Sequence, residues 1–429
     1  MTVSTCMMDP VHFTRVTRLL LLALLALLAT LAGLAMLATG ARADWTLQSG
    51  VPYADNPPAD PSLNQLDIYR PSSPAGEAAP LVIYVHGGGW RRGDKAVAGT
   101  QDKARLFTDA GYVFASVNYR LSPESAPPGG PDPNRIMFPV HPDDVGEAIG
   151  WLSRNAASIG ADPDRIILIG HSAGAHLVSL VSVDPRYVNR FGVDQRQVLG
   201  TIPLDTAAYD IEERAVGDDP DEPNLLFLNA FGTAAENAVS GSWAEASPLT
   251  WADQADPVHL FITQLNPVRV QINQRMASAL GQPPESVVSV ALNHSGINNA
   301  VGAPGDTSGT TAAITGFIDS RLAAYRSAAV SIRKRPAKVV LTGRKSRSGK
   351  PKKRRVVFAF SGSGNAVGFE CRLDKAAYRA CKSPRKYTVG TGIHRFRVRP
   401  LYPSGNPGAE KPVRFKVMAK HRTRSGPAQ

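Results

Sequence analysis

Six short runs between Leu81 and Leu292 are apolar at nearly every position: LVIYVHG (81–87), VFASVNYR (113–120), RIILIG (165–170), VLGTIPLD (198–205), VHLFIT (258–263) and VVSVAL (287–292). A strand with one face in water alternates apolar and polar residues, whereas a strand covered on both faces does not. Each run therefore reads as a buried strand. Helical patterns lie between them, DDVGEAIGWLSRNAASIG and the stretch after Ser172 among them. This alternation predicts an α/β fold from about Leu63 to Ala324, a mostly parallel sheet with helices on both faces. Residues 206–257 interrupt it with a long connection holding LLFLNAF and the acidic DDPDEP. That connection reads equally as a lid over a site and as a surface excursion whose apolar part returns to the core.

The pattern changes at both ends. Arg15 and Arg18 precede an uncharged apolar run from Leu19 to Thr39, and Ala41-Arg42-Ala43 has the small-x-small form of a cleavage site. Residues 1–43 are therefore expected to be a signal peptide that makes the protein secreted or envelope-associated, with an uncleaved membrane anchor as the alternative. Residues 44–326 form the α/β unit. Residues 327–355, with RKSRSGKPKKRR at their densest, read as a disordered basic linker. Strand-like runs punctuated by Gly, Pro and Asn fill 356–418 and predict a small antiparallel β module, leaving 419–429 as a disordered tail.

Charge separates the same pieces. The chain carries +12 in total, but residues 44–332 hold 18 basic and 32 acidic side chains, whereas 333–429 hold 27 and 3. The basic end suits an anionic cell-surface polymer or lipid surface, and it suits equally a spacer that only confers solubility. Nucleic acid is not an expected partner, because no aromatic RNA-binding or helix-turn-helix pattern accompanies the charge. Of three cysteines, Cys6 lies in the leader, and Cys371 and Cys381 share the β module. In an exported protein that pair is expected as a disulfide.

The chemistry concentrates in two glycine motifs. Gly170-His171-Ser172-Ala173-Gly174 matches G-x-S-x-G between a strand and a helix, where a strained turn lifts the serine clear of the sheet. His86-Gly87-Gly88-Gly89-Trp90 follows an earlier strand, and its glycines let backbone N–H groups approach a developing oxyanion. Gly88, Gly89 and Ala173 are the candidate donors. A serine nucleophile needs a histidine base that arrives later in the chain. Nine histidines are present. His12 lies in the leader, His394 and His421 in the basic end, and His86 and His171 inside the glycine motifs. His141 precedes the serine, His176 is carried down the following helix, and His259 opens a strand at the edge away from the site. His294, directly after VVSVAL at the edge where α/β sites form, is the candidate base.

In their order along the chain, HGGGW, VNYRLSP, GADPDRI, GHSAGAHL and HSGINNAVG…GD resemble the α/β-hydrolase esterases of the hormone-sensitive-lipase and feruloyl-esterase-like (BD-FAE-like) group, close to arylformamidases. The resemblance covers about three-fifths of the chain and implies a serine hydrolase of esters or related acyl compounds, without cofactor or metal. One departure stands out. The family's usual place for the triad acid, after the strand before the histidine strand, holds Asn266. Asp205, at the end of VLGTIPLD, lies one strand earlier at the same edge and is the candidate acid. Asn266 is kept as an alternative orienting residue, with Asp210 a weaker substitute. A catalytically impaired surface-binding protein, its basic module the working part, is the rival reading that this departure permits. The C-terminal FECRLD…CKSP…GIHRFRV pattern resembles Ig-like or fibronectin-like modules of bacterial extracellular proteins.

Overall fold

A computed structural model describes residues 45–54, 60–72, 78–122, 134–216, 224–253, 258–326, 331–334, 339–341, 353–362 and 366–419. The expected leader, the DDPDEP stretch, Asp256 and the end of the chain after Ala419 lie outside these residues.

The α/β unit is built on eight strands: β1 (Trp45–Pro52), β2 (Gln65–Pro71), β3 (Ala79–Val85), β4 (Val113–Val117), β5 (Ala161–His171), β6 (Val198–Leu204), β7 (Phe261–Gln264) and β8 (Val287–Val290). They lie in the order β1-β2-β4-β3-β5-β6-β7-β8. β1 and β2 pair antiparallel, as do β2 and β4, and every later pairing is parallel. The six apolar runs supply β3 to β8. The antiparallel edge is absent from that set because WTLQSGVP is mostly solvent-facing and carries no continuous apolar run.

Alternation along β3 shows how the sheet is covered. Leu81, Ile83 and Val85 point to one face, where they join Val145 and Ile149 of α2 (Val140–Arg154) and Leu177 and Val181 of α3 (Ala173–Val183). Val82 and Tyr84 point to the other, with Phe107 of α1 (Thr100–Asp109). Further helices follow: α4 (Leu225–Phe231), α5 (Pro267–Ala279), α6 (His294–Ala300) and α7 (Thr310–Arg326). Ile314 and Ile318 of α7 complete the second face. Each fully buried apolar side chain of this kind contributes about 1.5–3 kcal/mol.

The C-terminal region folds as a small β domain of two sheets, built from β9 (Ser331–Lys334), β10 (Val339–Leu341), β11 (Arg354–Ser361), β12 (Gly368–Leu373), β13 (Arg379–Ala380), β14 (Arg385–Val389), β15 (Gly392–Leu401) and β16 (Lys411–Ala419) in the orders β14-β11-β9 and β10-β16-β15-β12-β13. Its core stacks Phe358 on Phe396, with Phe360, Val398, Val413 and Phe415 around them. Cys371 and Cys381 are joined by a disulfide. The basic stretch 327–355 is not irregular throughout, as its composition suggests. Ser331–Lys334 (β9) pairs with Arg354–Ser361 (β11), and Val339–Leu341 (β10) pairs with Lys411–Ala419 (β16). Short segments holding β-branched residues, Ile332 in one and Val339 and Val340 in the other, form ladders beside open sheet edges even when flanked by charge. This domain touches the α/β unit through Tyr325 stacked on Tyr402 and through the amide and hydroxyl of Ser404, which donate to Asp164 of the GADPDRI segment.

Candidate active site

Ser172 stands between β5 and α3 with φ 54°, a left-handed backbone that a residue with a Cβ adopts only under constraint. The constraint is local crowding. A Cβ on Gly170 would lie 2.3 Å from the carbonyl oxygen of Gly174, and one on Gly174 would lie 2.1 Å from that of Val85. Only glycine lets strand, turn and helix approach this closely. The ladder then steps the site across the sheet: the Ser172 amide donates to Leu204 O at 2.9 Å, and the Asp205 amide donates to Ile262 O at 2.7 Å. Ser172 and Asp205 thus crown neighbouring strands.

Asp205 is fully buried and also left-handed, with φ 50°. Its carboxylate accepts from Thr263 Oγ1 at 3.0 Å, from the Gln264 amide at 3.2 Å and from Gln264 Nε2 at 2.7 Å. The fourth contact is His294 Nδ1 at 2.6 Å. Burial works to raise the Asp205 pKa, but the hydrogen bonds from His294 and Gln264 and the nearby Arg269 charge outweigh it, holding the carboxyl well below its ordinary range. The group is an anion aimed at an imidazole.

His294 opens α6, with Asn293 as the N-cap accepting from the Gly296 amide. His171 braces it. The two rings lie 4.5 Å apart, and His171 Nε2 donates to the His294 carbonyl at 2.9 Å. Burial first, and then the neighbouring His294, lower the His171 pKa to about 4. His171 is therefore neutral at physiological pH and adds no charge beside His294.

Asn266, the alternative orienting residue, is engaged at a helix terminus. Its Oδ1 accepts from the Val268 and Arg269 amides at 3.0 and 3.2 Å, capping α5. Asp210 is likewise engaged elsewhere, accepting from the Glu213 amide and pairing with Arg275.

The glycine loop after β3 bends through three successive left-handed residues, Gly88 (φ 116°), Gly89 (φ 63°) and Trp90 (φ 58°). His86 stacks on Tyr119, whose hydroxyl donates to the His86 carbonyl, and this pins the start of the loop. Gly89 and Ala173 line a cavity of about 260 Å³ together with Ser172, Asp205 and His294. Gly88 is not among the lining residues; its carbonyl instead accepts from the Arg91 and Arg92 amides. His176 packs among Trp90 and Phe231 and bonds to Ala246 O, and His259 bonds to Ser182, so neither reaches the cavity.

The long connection supplies the remaining wall. Leu226 and Phe227 of α4 line the cavity, and Phe227 and Phe231 pack edge-on against Trp90. The LLFLNAF segment is thus both part of the core and the cover over Gly89. Arg135 fastens it, donating to the carbonyls of Leu228 and Asn229 and pairing with Glu236. Sequence reasoning missed Thr263, Gln264, Arg214 and Arg269. A polar amide closing the otherwise apolar β7 was the available signal for Gln264.

A serine on a strained strand-to-helix turn, within a parallel sheet covered on both faces, defines an α/β-hydrolase domain. The chain matches the BD-FAE family model over residues 66–275. It is 29% identical over 222 residues to esterase LipQ of Mycobacterium tuberculosis (strain ATCC 25618 / H37Rv), covering 50% of this chain and 49% of that protein. It is 28% identical over 221 residues to phenmedipham hydrolase of Pseudarthrobacter oxydans, covering 48% and 42%. The chain thus spans about half the length of the curated relatives it matches. The crystal structure of esterase B from Lactobacillus Rhamnosis (HN001) shares the fold with a TM-score of 0.50 at 21% identity, covering 71% of this chain and 95% of that one.

Proposed function

We propose that the protein is an exported serine hydrolase that cleaves small carboxylic esters through an acyl-enzyme, with Ser172 as nucleophile, His294 as general base and Asp205 as the acid that orients the base. The reading rests on the 2.6 Å bond between Asp205 and His294 Nδ1 at the wall of the cavity that Ser172 also lines. With Nδ1 bound to an anion, the other ring nitrogen, Nε2, is left to take the serine proton. Ser172 Oγ attacks the ester carbonyl as His294 accepts its proton, and Asp205 stabilises the imidazolium that forms. The same proton then goes to the departing alkoxide. A water, activated by His294, releases the acyl group as a carboxylic acid. The amides of Gly89 and Ala173, with Gly88 shaping the loop behind them, serve the oxyanion. A cavity of about 260 Å³ lies below the range of drug-sized pockets, which favours short acyl and alcohol groups. Relatives named esterase and hydrolase favour the same chemistry.

The leader-like N-terminus supports export, and the excess of 27 basic over 3 acidic residues after 332 supports attachment to an anionic surface polymer. A fluorophosphonate is the direct test. The intact protein is expected to be labelled at Ser172 and the Ser172→Ala variant to stay unlabelled. A folded sample that resists labelling and turns over no ester would leave the surface-binding reading in its place.

A further inference from the structure

Two arginines line the cavity that holds Ser172 and His294; Arg269 also helps to keep Asp205 an anion, and Arg214 has no part in the bond exchange. Arg214 comes from the first short helix of the long connection, Ile211–Val216, and Arg269 from the first turn of α5. Their presence runs against the domain, in which acidic side chains outnumber basic ones 32 to 18.

Nearby carboxylates are committed elsewhere. Asp210 and Glu213 both pair with Arg275. Asp205 is filled by four hydrogen bonds from Thr263, Gln264 and His294. Among the described residues neither Arg214 nor Arg269 forms an ion pair, and Arg214 Nε is buried without a hydrogen-bond partner. The Arg214 guanidinium lies 5.9 Å from the centre of the Phe227 ring, on the wall of the cavity. A buried guanidinium N–H left unpaired costs free energy unless something occupies it. Guanidinium groups match carboxylates in shape as well as charge.

Resting on the hydrolase reading, we propose that the substrate keeps a free carboxylate close to its scissile ester, held by Arg214 and Arg269 while Trp90, Leu226 and Phe227 take its apolar part. The substrate class is then the small half-ester or the acylated hydroxy acid, not the neutral ester or the triglyceride. The arginines are specificity residues that act on binding and position, and Ser172 and His294 carry out the bond exchange.

Matched substrates test this on the full-length protein. Monoethyl glutarate is compared with ethyl valerate, and 4-acetoxybenzoate with 4-acetoxybenzamide, reading kcat/KM in a pH-stat. The charged member of each pair is expected to be preferred at least tenfold, the scale of one charge-assisted hydrogen bond. In Arg214→Gln and in Arg269→Gln that preference is expected to fall severalfold, with most of the change in KM. A ratio at or below one in the unaltered protein, or a ratio that neither substitution lowers, overturns the proposal. A binding arm needs no turnover: Ser172→Ala is titrated with benzoate and with benzamide by calorimetry. Tighter binding of benzoate that is lost in the Arg214→Gln background supports the carboxylate site, and equal binding of the two overturns it. Failure of the hydrolase reading looks different, as absent turnover of all four esters together with an unlabelled Ser172.

Discussion

The two folded regions place their strained residues differently. Among the described residues of the α/β unit, the non-glycine residues with left-handed backbones are Trp90, Ser172 and Asp205, and all three line the same cavity. In the β domain Asp374 is left-handed with φ 57°, at a turn, and its carboxylate is satisfied locally by the Arg395 amide and His394 Nδ1. Such backbones cost on the order of 1–3 kcal/mol each. In the first region that cost is sustained by a core on both faces of the sheet, and it projects side chains over the C-terminal strand ends where a ligand can meet them. In the second the carboxylate of the strained residue is satisfied by the paired strand Gly392–Leu401. Strained residues gathered around one cavity mark the working surface.

The sharpest way to break this comparison is at Asp205. Asp205→Asn keeps the size and burial of the side chain but removes the anion and favours the wrong imidazole tautomer. The expected loss is about 10⁴ in kcat on a small ester, with KM little changed, read by steady-state kinetics. Asn266→Ala, at a residue that only caps α5, is expected to cost about 1 kcal/mol of stability. If Asn266→Ala proves the more damaging to kcat, the site has been assigned to the wrong strand.

The β domain answers to a different perturbation. Its core is small, and the Cys371–Cys381 crosslink closes a loop of sequence separation 10. Cys371→Ser together with Cys381→Ser is expected to lower the stability of that domain by roughly 2–3 kcal/mol. In denaturant the altered protein should lose the β domain at lower concentration while ester turnover persists. Simultaneous loss of both signals would show that the Tyr325–Tyr402 and Ser404–Asp164 contacts make the two regions one cooperative unit.

A pair of glycine substitutions is subtler and tests the opening contrast by sign. Ser172→Gly removes the nucleophile but relaxes a φ of 54°, and is expected to raise the stability of the α/β unit by about 1 kcal/mol. Asp374→Gly relaxes a similar φ but forfeits the bonds to Arg395 and His394, so it is expected to lower stability by about 1 kcal/mol. Thermal unfolding of the two variants reads both signs. Equal signs would mean that local bonding does not separate the two kinds of strain.

How much of this could be read beforehand follows from what each feature depends on. The six buried strands were legible because two-sided burial leaves an apolar run in the sequence. Ser172 and its glycines were legible because the turn's crowding can be met in few ways. Asp205 was legible as a candidate, being a carboxylate at the end of an apolar strand, but its bond to His294 and the helix-capping bonds of Asn266 were not. Gln264, Arg214 and Arg269 come from β7, the long connection and α5, and nothing local to any of those segments announces that they meet around one site. The strands at 331–334 and 339–341 were hidden by the opposite effect, since SIRK and VVL are short and sit within a composition that reads as solvated.

The smallest effect expected concerns the cover over the cavity and depends on pH. Arg135 is wholly buried and holds α4 by its carbonyls, with Glu236 as its counter-charge. The hydrogen bond from Arg135, against the opposing effect of burial, lowers the Glu236 pKa to about 2. A carboxyl depressed on folding contributes stability that is complete above its unfolded value and is lost as pH falls towards its folded one. The pair therefore holds α4 fully at neutral pH and weakens between about pH 4.5 and about 2. Because Glu236 is about one-third exposed, solvent screening reduces the effect to about 1 kcal/mol. Hydrogen exchange of the α4 amides should quicken across that window in the unaltered protein. In Glu236→Gln the α4 amides should already exchange faster at pH 7 and show less change on acidification. An unchanged pH response in that variant would move the control of the cover from Glu236 to another group.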